Sequence, residues 1–523
     1  MWGGAPDRNM VSAETGLSES FRPGRPATGW DPAIAPLHVK WAARLGTDTL
    51  SSPAVAGGKV FIGTNNGAPR NPVLGGDRYV LMCFDEGDGH FLWQLAAPKH
   101  KLLQSGKLAG DYAGLGICSS PAVDGDCVYA VTSQCDVLCL SVDGLAKGNR
   151  GPFIDEAQYL ARPVDEKVVE GPGGTKVTCI PGAPVQLSAS DADILWGFDM
   201  AKEVQSWPHD ACDCSVLVCG DYLYVGTSNG IDATHRFVVS PDAPSLIVLD
   251  KHTGKLVAVD SANIGPRILH GQWSSPSLGV VNGRALVFYG GGDGFCYAFN
   301  AKPQPGVSGR PGSLPLVWSC DCNPADYRVR NGKGVPYKTK GDGPCEIIAT
   351  PVFHDNRVYV SIGQDPRHGP GKGCLNCIDA TKTGCISDTG VIWRYQGINR
   401  SLSTVSVADG LVYAADIAGT VHCLEAETGQ PLWKHDTGAP IWGSTLVADG
   451  KVFVGTEAGD LWILQAGRQR KVLGTVRMDS PVYTTPVAAN GVLYVTSEKW
   501  LYAVGLGGTT AAPPTGPSVP THK

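Results

Sequence analysis

The residues able to do chemistry in this chain fall in short loops, each just before or after an apolar β-type run. Pro208-His209-Asp210-Ala211-Cys212 and His270-Gly271-Gln272-Trp273 lead into such runs, and Glu346 leads into a third. Asn229, at the end of Gly226-Thr227-Ser228-Asn229, and Gln364-Asp365-Pro366-Arg367-His368 follow runs, while Asn399-Arg400, Trp442 and Tyr483 precede later ones. Imidazole, carboxylate, amide and indole groups that converge can bind a small ligand or a metal. They can equally hydrogen-bond one another and fill a polar gap, because buried polar groups normally satisfy each other. No HExxH, P-loop or EF-hand loop is present. Cys374-Leu-Asn-Cys377 is followed by Ile378 rather than His, which does not support covalent haem attachment. As a zinc pair it has a third candidate in Cys385 and no evident fourth.

The elements that must position these loops repeat. Residues 401–436 read as four short β-type runs: STVSV, LVYAAD, TVHCLEA and QPLWKHD, separated by Gly-containing turns. Val, Tyr, Leu and Trp suit a pleated, half-buried surface, and Gly supplies the positive φ that hairpin turns need. One such unit is marginal alone and needs copies to stack on. Five copies carry Pro at one point of the first run, at Ser52-Pro53, Ser120-Pro121, Ser275-Pro276, Thr350-Pro351 and Thr485-Pro486, where a free inner edge tolerates it. The fourth run carries Trp93, Trp196, Trp318, Trp393 and Trp433. Units opening near residues 51, 119, 214, 274, 349, 404, 444 and 484 make eight. A four-stranded repeat of roughly 40–50 residues predicts an all-β propeller of eight four-stranded antiparallel blades. The wide gaps at 141–195 and 300–345 read as inserted loops, and Gly290–Gly294 as a tight hairpin. Long hairpins fall in units one, three and five, and long loops on a rigid scaffold are where binding residues concentrate.

The predicted organisation is an N-terminal arm (1–35), the propeller (36–508) and a Pro/Thr-rich disordered tail (509–523). The last unit lacks a fourth run, and PLHVKWAARLG from Pro36 carries Trp41 where that Trp recurs. The N-terminal strand is therefore expected to complete the last sheet and close the ring.

Composition narrows the function. Net charge is −6, charged residues make up 18% and no Lys/Arg run appears, which argues against nucleic acid. No apolar run reaches the roughly 18 residues of a membrane span. The opening MWGGAPDRN has no leader character. An extracytoplasmic location with the leader outside this numbering is expected, the cytoplasm being the alternative. The 17 cysteines are an odd number and cannot all pair internally. Cys135 with Cys139, and Cys374 with Cys377, can close small loops, while Cys212/Cys214 and Cys320/Cys322 would pair across strands. The other reading makes them small buried hydrophobes.

The combination of SSPAV, G-[KN]-VYVGT-like runs and the LW strand resembles the pyrroloquinoline-quinone (PQQ) repeat. Residues 36–508 look like an eight-bladed PQQ-like propeller, a group that includes quinoprotein alcohol dehydrogenases and outer-membrane-assembly lipoproteins. The opening WGGAPDRNMVSAETGL and the run ILHGQWSSPS resemble planctomycete proteins of this type, which have no assigned reaction. The resemblance implies a calcium-ligating Asn, matched by Asn229. It also implies a catalytic Asp where Gly271 stands, a basic residue where Gly292-Asp293 stands, and a vicinal Cys pair where Cys118-Ser119 stands. Without a carboxylate near a quinone, alcohol deprotonation has no acceptor. The expectation is a binding or scaffold module with no cofactor. It would take a protein partner or small ligand on the propeller face, through His209, Asp210, Asn229, His270, Gln272, Trp273, Glu346, Gln364, Asp365, His368, Arg400 and Trp442. The alternatives are a PQQ- and calcium-dependent dehydrogenase with a rearranged site, and hydrolase or lyase chemistry at a metal in the funnel.

Overall fold

The structure, a computed structural model, describes all residues except 25–33, 101–111, 113, 172–173, 308, 339–341 and 506–523. The expected disordered tail lies outside the described residues. Eight antiparallel sheets form the eight blades of a propeller. Blade 6 shows the pattern: Ser406–Ala408, Leu411–Ala415, Thr420–Glu425 and Pro431–Asp436 pair in chain order. Asp409 (φ 50°) and Gly410 (φ 75°) make its first turn, the positive-φ pair that matches the twist of a two-residue hairpin. Blades 1 to 5 occupy residues 54–98, 122–199, 217–260, 277–321 and 352–395, and blade 7 occupies 446–477. Blade 8 joins Val487–Ala489, Val492–Thr496 and Trp500–Val504 to the N-terminal strand Val39–Arg44, which pairs antiparallel with Trp500–Val504. The ring closes as expected, through residues at opposite ends of the chain.

Two side-chain systems join the blades. The fourth-strand tryptophans each donate to a backbone carbonyl of the next blade: Trp41 to Glu86, Trp93 to Val142, Trp196 to Lys251, Trp318 to Ala380, Trp393 to Ala426 and Trp433 to Gly467, at 2.9–3.2 Å. The indoles lie over the next blade's last turn, where Gly429 (φ 70°) sits under Trp393. A Cβ there would come within 2.5 Å of the ring. Toward the axis, a Ser or Thr hydroxyl at one register position accepts the backbone N–H of the preceding blade. Ser52 N donates to Ser120 Oγ, Ser120 N to Ser215 Oγ, Ser215 N to Ser275 Oγ, Thr350 N to Thr404 Oγ1, Thr404 N to Ser444 Oγ, Ser444 N to Thr485 Oγ1 and Thr485 N to Ser52 Oγ. Between blades 4 and 5, Ser274 Oγ donates to Ala349 O at 2.9 Å.

The N-terminal arm does more than lie on the domain. Pro6 O and Asp7 O accept from Leu278 N and Phe353 N, Asn9 exchanges two bonds with Val407, and Met10 O accepts from Val447 N. Val11–Ser12 then pairs parallel with the inner strand of blade 7, and Glu14 accepts from Asn490 N and Gly491 N of blade 8. The arm thus visits blades 4 to 8 in order, at the ends of their inner strands nearest the first turn. Arg8, fully buried, fastens it by donating to Ser215 O, Val216 O and Pro276 O.

The inserts add structure. Asp165–Gly171 pairs antiparallel with Gly174–Ile180; Gly312–Leu314 adds a parallel strand to blade 3 and Gly384–Cys385 one to blade 4. Gly290–Gly294 is a tight hairpin, with Gly291 N bonded to Phe295 O and Gly294 N to Gly291 O. The disulfide reading is corrected: no disulfide joins the seventeen cysteines, and most of them are buried. The zinc reading of Cys374, Cys377 and Cys385 fails on geometry. Cys374 and Cys377 face different cores from opposite sides of one strand, and Cys385 is exposed. Among the described residues no helix is long and apolar enough to cross a membrane.

Candidate site at the loop-bearing mouth

The loops that open each inner strand and the long second hairpins meet at the end of the channel opposite the arm. Five imidazole or carboxylate groups of blades 3, 4 and 5 converge there around His270, which has no exposed surface. His209, from the loop opening blade 3, lies 4.3 Å from His270 between ring centroids. His235, from the long hairpin of blade 3, brings Nδ1 to 3.0 Å from His270 Nε2. His368, from the hairpin of blade 5, lies 4.9 Å from His270, and Tyr337 of the blade 4 insert stacks on it at 5.7 Å.

Local backbone explains the aim of these groups. Asp365 accepts from Arg367 N at 2.7 Å and starts the short 3-10 turn that carries His368. Asp210 (φ 65°) and His235 (φ 58°) hold left-handed conformations, which cost energy for residues with a Cβ. His209 donates from Nδ1 to Ile231 O at 2.9 Å, because a carbonyl can only accept. Its Nε2 is therefore the unprotonated nitrogen. Trp273 Nε1 donates to His209 O and Ala211 O, fixing that loop against blade 4.

Charge is suppressed at this mouth. Burial, with the neighbouring imidazoles of His209, His368 and His235, pushes His270 down to about 2, and burial also lowers His209 and His368. Burial raises Glu346 to about 8; its Oε1 accepts from Tyr337 at 3.1 Å. Burial and the adjacent Asp365 carboxylate raise Asp210 to about 8, the two acids sharing a hydrogen bond. Burial thus favours the uncharged forms of His270, His209, His368, Glu346 and Asp210. Two of its wholly buried atoms, His270 Nδ1 and Glu346 Oε2, have no hydrogen-bond partner. His270 Nδ1 stands 4.0 Å from Glu346 Oε1.

Other residues singled out from sequence serve the frame. Gln272 donates to Asn229 O and Ser245 Oγ. Gln364 donates to Pro344 O, and Arg400 donates to the carbonyls of His368 and Gly369. Trp442 packs on Tyr483 at 4.8 Å and donates to Glu457, on the blade 7–8 side of the mouth rather than in the histidine cluster. Sequence reasoning did not single out His235 or Tyr337. The long hairpin of unit three and the 300–345 insert were the signals that contained them.

The calcium–quinone set implied by the resemblance does not fit these residues. The Asn229 side chain accepts from Trp207 N and donates to Ser240 O, so its amide is spent on backbone. A Cβ on Gly271 would stand 2.5 Å from the Trp273 ring, and one on Gly292 would stand 2.5 Å from Gln272. Neither position has room for a side chain as packed here.

Repeat, ring and inter-blade tryptophans define the class: the chain is an eight-bladed β-propeller, and its repeats are similar to the PQQ-like type. The family model described as outer membrane protein assembly factor BamB matches residues 323–434 and 371–472. Among solved structures, BamB from Moraxella catarrhalis superposes with a TM-score of 0.51 at 15% identity, covering 89% of this chain and 98% of that one. The quinohemoprotein alcohol dehydrogenase of Comamonas testosteroni gives 0.49 at 13% identity, covering 100% of this chain and 82% of that one. A comparison with curated proteins finds no match.

Proposed function

We propose that this propeller is a binding module whose ligand docks at the histidine-lined mouth, and that it does not use PQQ. The observation that carries the reading is the pair of wholly buried, unpartnered atoms, His270 Nδ1 and Glu346 Oε2, in a cluster walled by blades 3 to 5. Leaving such groups unmet costs about 1–3 kcal/mol each, which a ligand recovers. The match to the outer membrane protein assembly factor model supports an extracytoplasmic protein with a protein partner. In this reading the scaffold role and the mouth are separate: a partner grips blade surfaces, and the mouth takes a small polar ligand.

Two measurements test it. Thermal denaturation with a panel of dicarboxylates, polyols, amino acids and divalent cations should show at least one stabilising class, lost in Tyr337→Phe. A ligand at 100 times its Kd adds about 2.7 kcal/mol, a shift of a few degrees. No stabilisation by any class overturns the reading. Reconstitution with PQQ and calcium should give no dye-linked turnover of alcohols or sugars. The lost base is worth roughly 10²–10⁴ in rate and the lost basic contact about 10²–10³. Turnover abolished by Asn229→Ala would promote the dehydrogenase alternative.

A further inference from the structure

We infer that His209, His235 and His270 form a mononuclear site for a first-row divalent metal of the zinc class, resting on the reading of the mouth as the ligand site and naming its ligand. One nitrogen from each ring lies within 4.8 Å of the others. Tetrahedral zinc at about 2.0–2.1 Å from each nitrogen needs them about 3.3 Å apart. The His235 Nδ1–His270 Nε2 separation is already 3.0 Å, so the third ring has to close by at most about 1.5 Å.

The surroundings are those of a ligand set. The ring N–H of His209 is taken by Ile231 O, which leaves Nε2 with its lone pair for the metal. A ligating histidine characteristically gives its other N–H to a carbonyl or carboxylate in this way. His270, bound through Nε2, would carry its proton on Nδ1, the atom that lacks a partner and stands 4.0 Å from Glu346 Oε1. Metal binding would therefore point the orphaned Nδ1 proton at the Glu346 carboxylate, whose Oε1 Tyr337 already holds at 3.1 Å. Without a metal, the rings can offer each other a single N–H···N bond, and that bond is the 3.0 Å contact.

Neutral imidazole nitrogens select Zn²⁺, Co²⁺, Ni²⁺ or Cu²⁺ over Ca²⁺ and Mg²⁺, which take oxygen. Three protein ligands leave a fourth position open to water or to the ligand's own donor atom. Asp210 Oδ1 is 3.7 Å from His209 Nε2 and borders that position. His270 also belongs to a second triad with Asp365 and His368, so the two sets compete for one buried ring. The set with His235 is preferred because its His209 tautomer is fixed.

The test uses the untagged full chain, stripped with a chelator and titrated with Zn²⁺ alone by calorimetry, with Co²⁺ as a visible-absorbance probe. One equivalent of Zn²⁺ should bind, and Co²⁺ should show tetrahedral d–d bands. His235→Ala, at an exposed position that should not perturb folding, should weaken binding at least 100-fold, and Glu346→Gln about 10–100-fold. His100→Ala, in the separate His100, Glu166 and Cys179 group, should leave this equivalent unchanged. Wild-type affinity in His235→Ala, or loss only in His368→Ala or His100→Ala, overturns the assignment. Failure of the wild type to bind Zn²⁺ overturns it too. In that case stabilisation by an organic ligand, lost in Tyr337→Phe, leaves the mouth reading intact, and no stabilisation at all removes both.

Discussion

Single residues decide what this propeller can hold, and the decisive ones differ from those the sequence displays. Asn229 sits in a Gly-Thr-Ser-Asn run that matches a calcium motif, yet its amide bonds Trp207 N and Ser240 O. A motif gives the identity of a side chain and not the backbone groups that will claim it. His235 is the converse case: a hairpin residue without a motif, which its positive φ and the fold of blade 3 turn onto His270. A second residue-scale consequence concerns Asp136, at the start of the third strand of blade 2. Burial first, and then Asp199, raises its carboxyl to about 7, although Tyr79, Tyr159 and Thr132 donate to it. A folded value above the unfolded one makes its contribution to stability full below about pH 4. That contribution is lost as pH rises through about 7. Asp136→Asn does not titrate, so melting temperatures of wild type and variant should converge or cross between about pH 4 and pH 7, to the wild type's disadvantage at high pH. Parallel curves would show that the carboxyl ionises freely.

At the scale of the element, the fourth strand is the docking strand. Its period-2 alternation puts Trp433 on the side of blade 7, beside Tyr413 of its own blade at 6.0 Å between centroids, with its Nε1 donating to Gly467 O of blade 7. Trp433→Ala should therefore cost about 3–5 kcal/mol in chemical denaturation, the range for a buried aromatic. A loss under about 1 kcal/mol would mean the ring contributes little between blades. The strands were legible because hairpin chemistry and alternation are local. The same five Trp positions that marked the repeat in sequence proved to be the inter-blade contacts. Blades 3 and 7 carry Ala258 and Gly474 in this strand, so there the repeat was found from its second strand. The path of the arm was not legible. Nothing in residues 1–24 alternates, because a segment that pairs with five different blades in turn takes its conformation from them.

For the whole molecule, closure is the controlling event. Removing residues 1–45 takes away the outer strand of blade 8 together with the arm, and leaves Trp500–Val504 as an open edge. Large destabilisation or aggregation is expected, read by calorimetry and light scattering. Removing only residues 1–16 keeps the strand and should give a folded ring that melts lower. An unchanged melting temperature in the longer truncation would refute closure by the N-terminal strand. The directional chain around the axis, seven amide-to-hydroxyl bonds and the Ser274 hydroxyl-to-carbonyl bond, is equally a property of the whole. Each blade is donor to the next and acceptor from the last, so the circuit is complete only with all eight present.

Closure also sets a clock on synthesis. Val39–Arg44 is translated long before its partner Trp500–Val504. At about 5–20 residues per second, tens of seconds separate the two. Once both are available, chain diffusion brings segments together in microseconds to milliseconds. The arm waits as well, since blades 4 to 8 must exist before Pro6 to Glu14 can lie along them. Throughout that interval the Trp41 strand stands without its sheet, and how long it stands open is governed by the speed of translation.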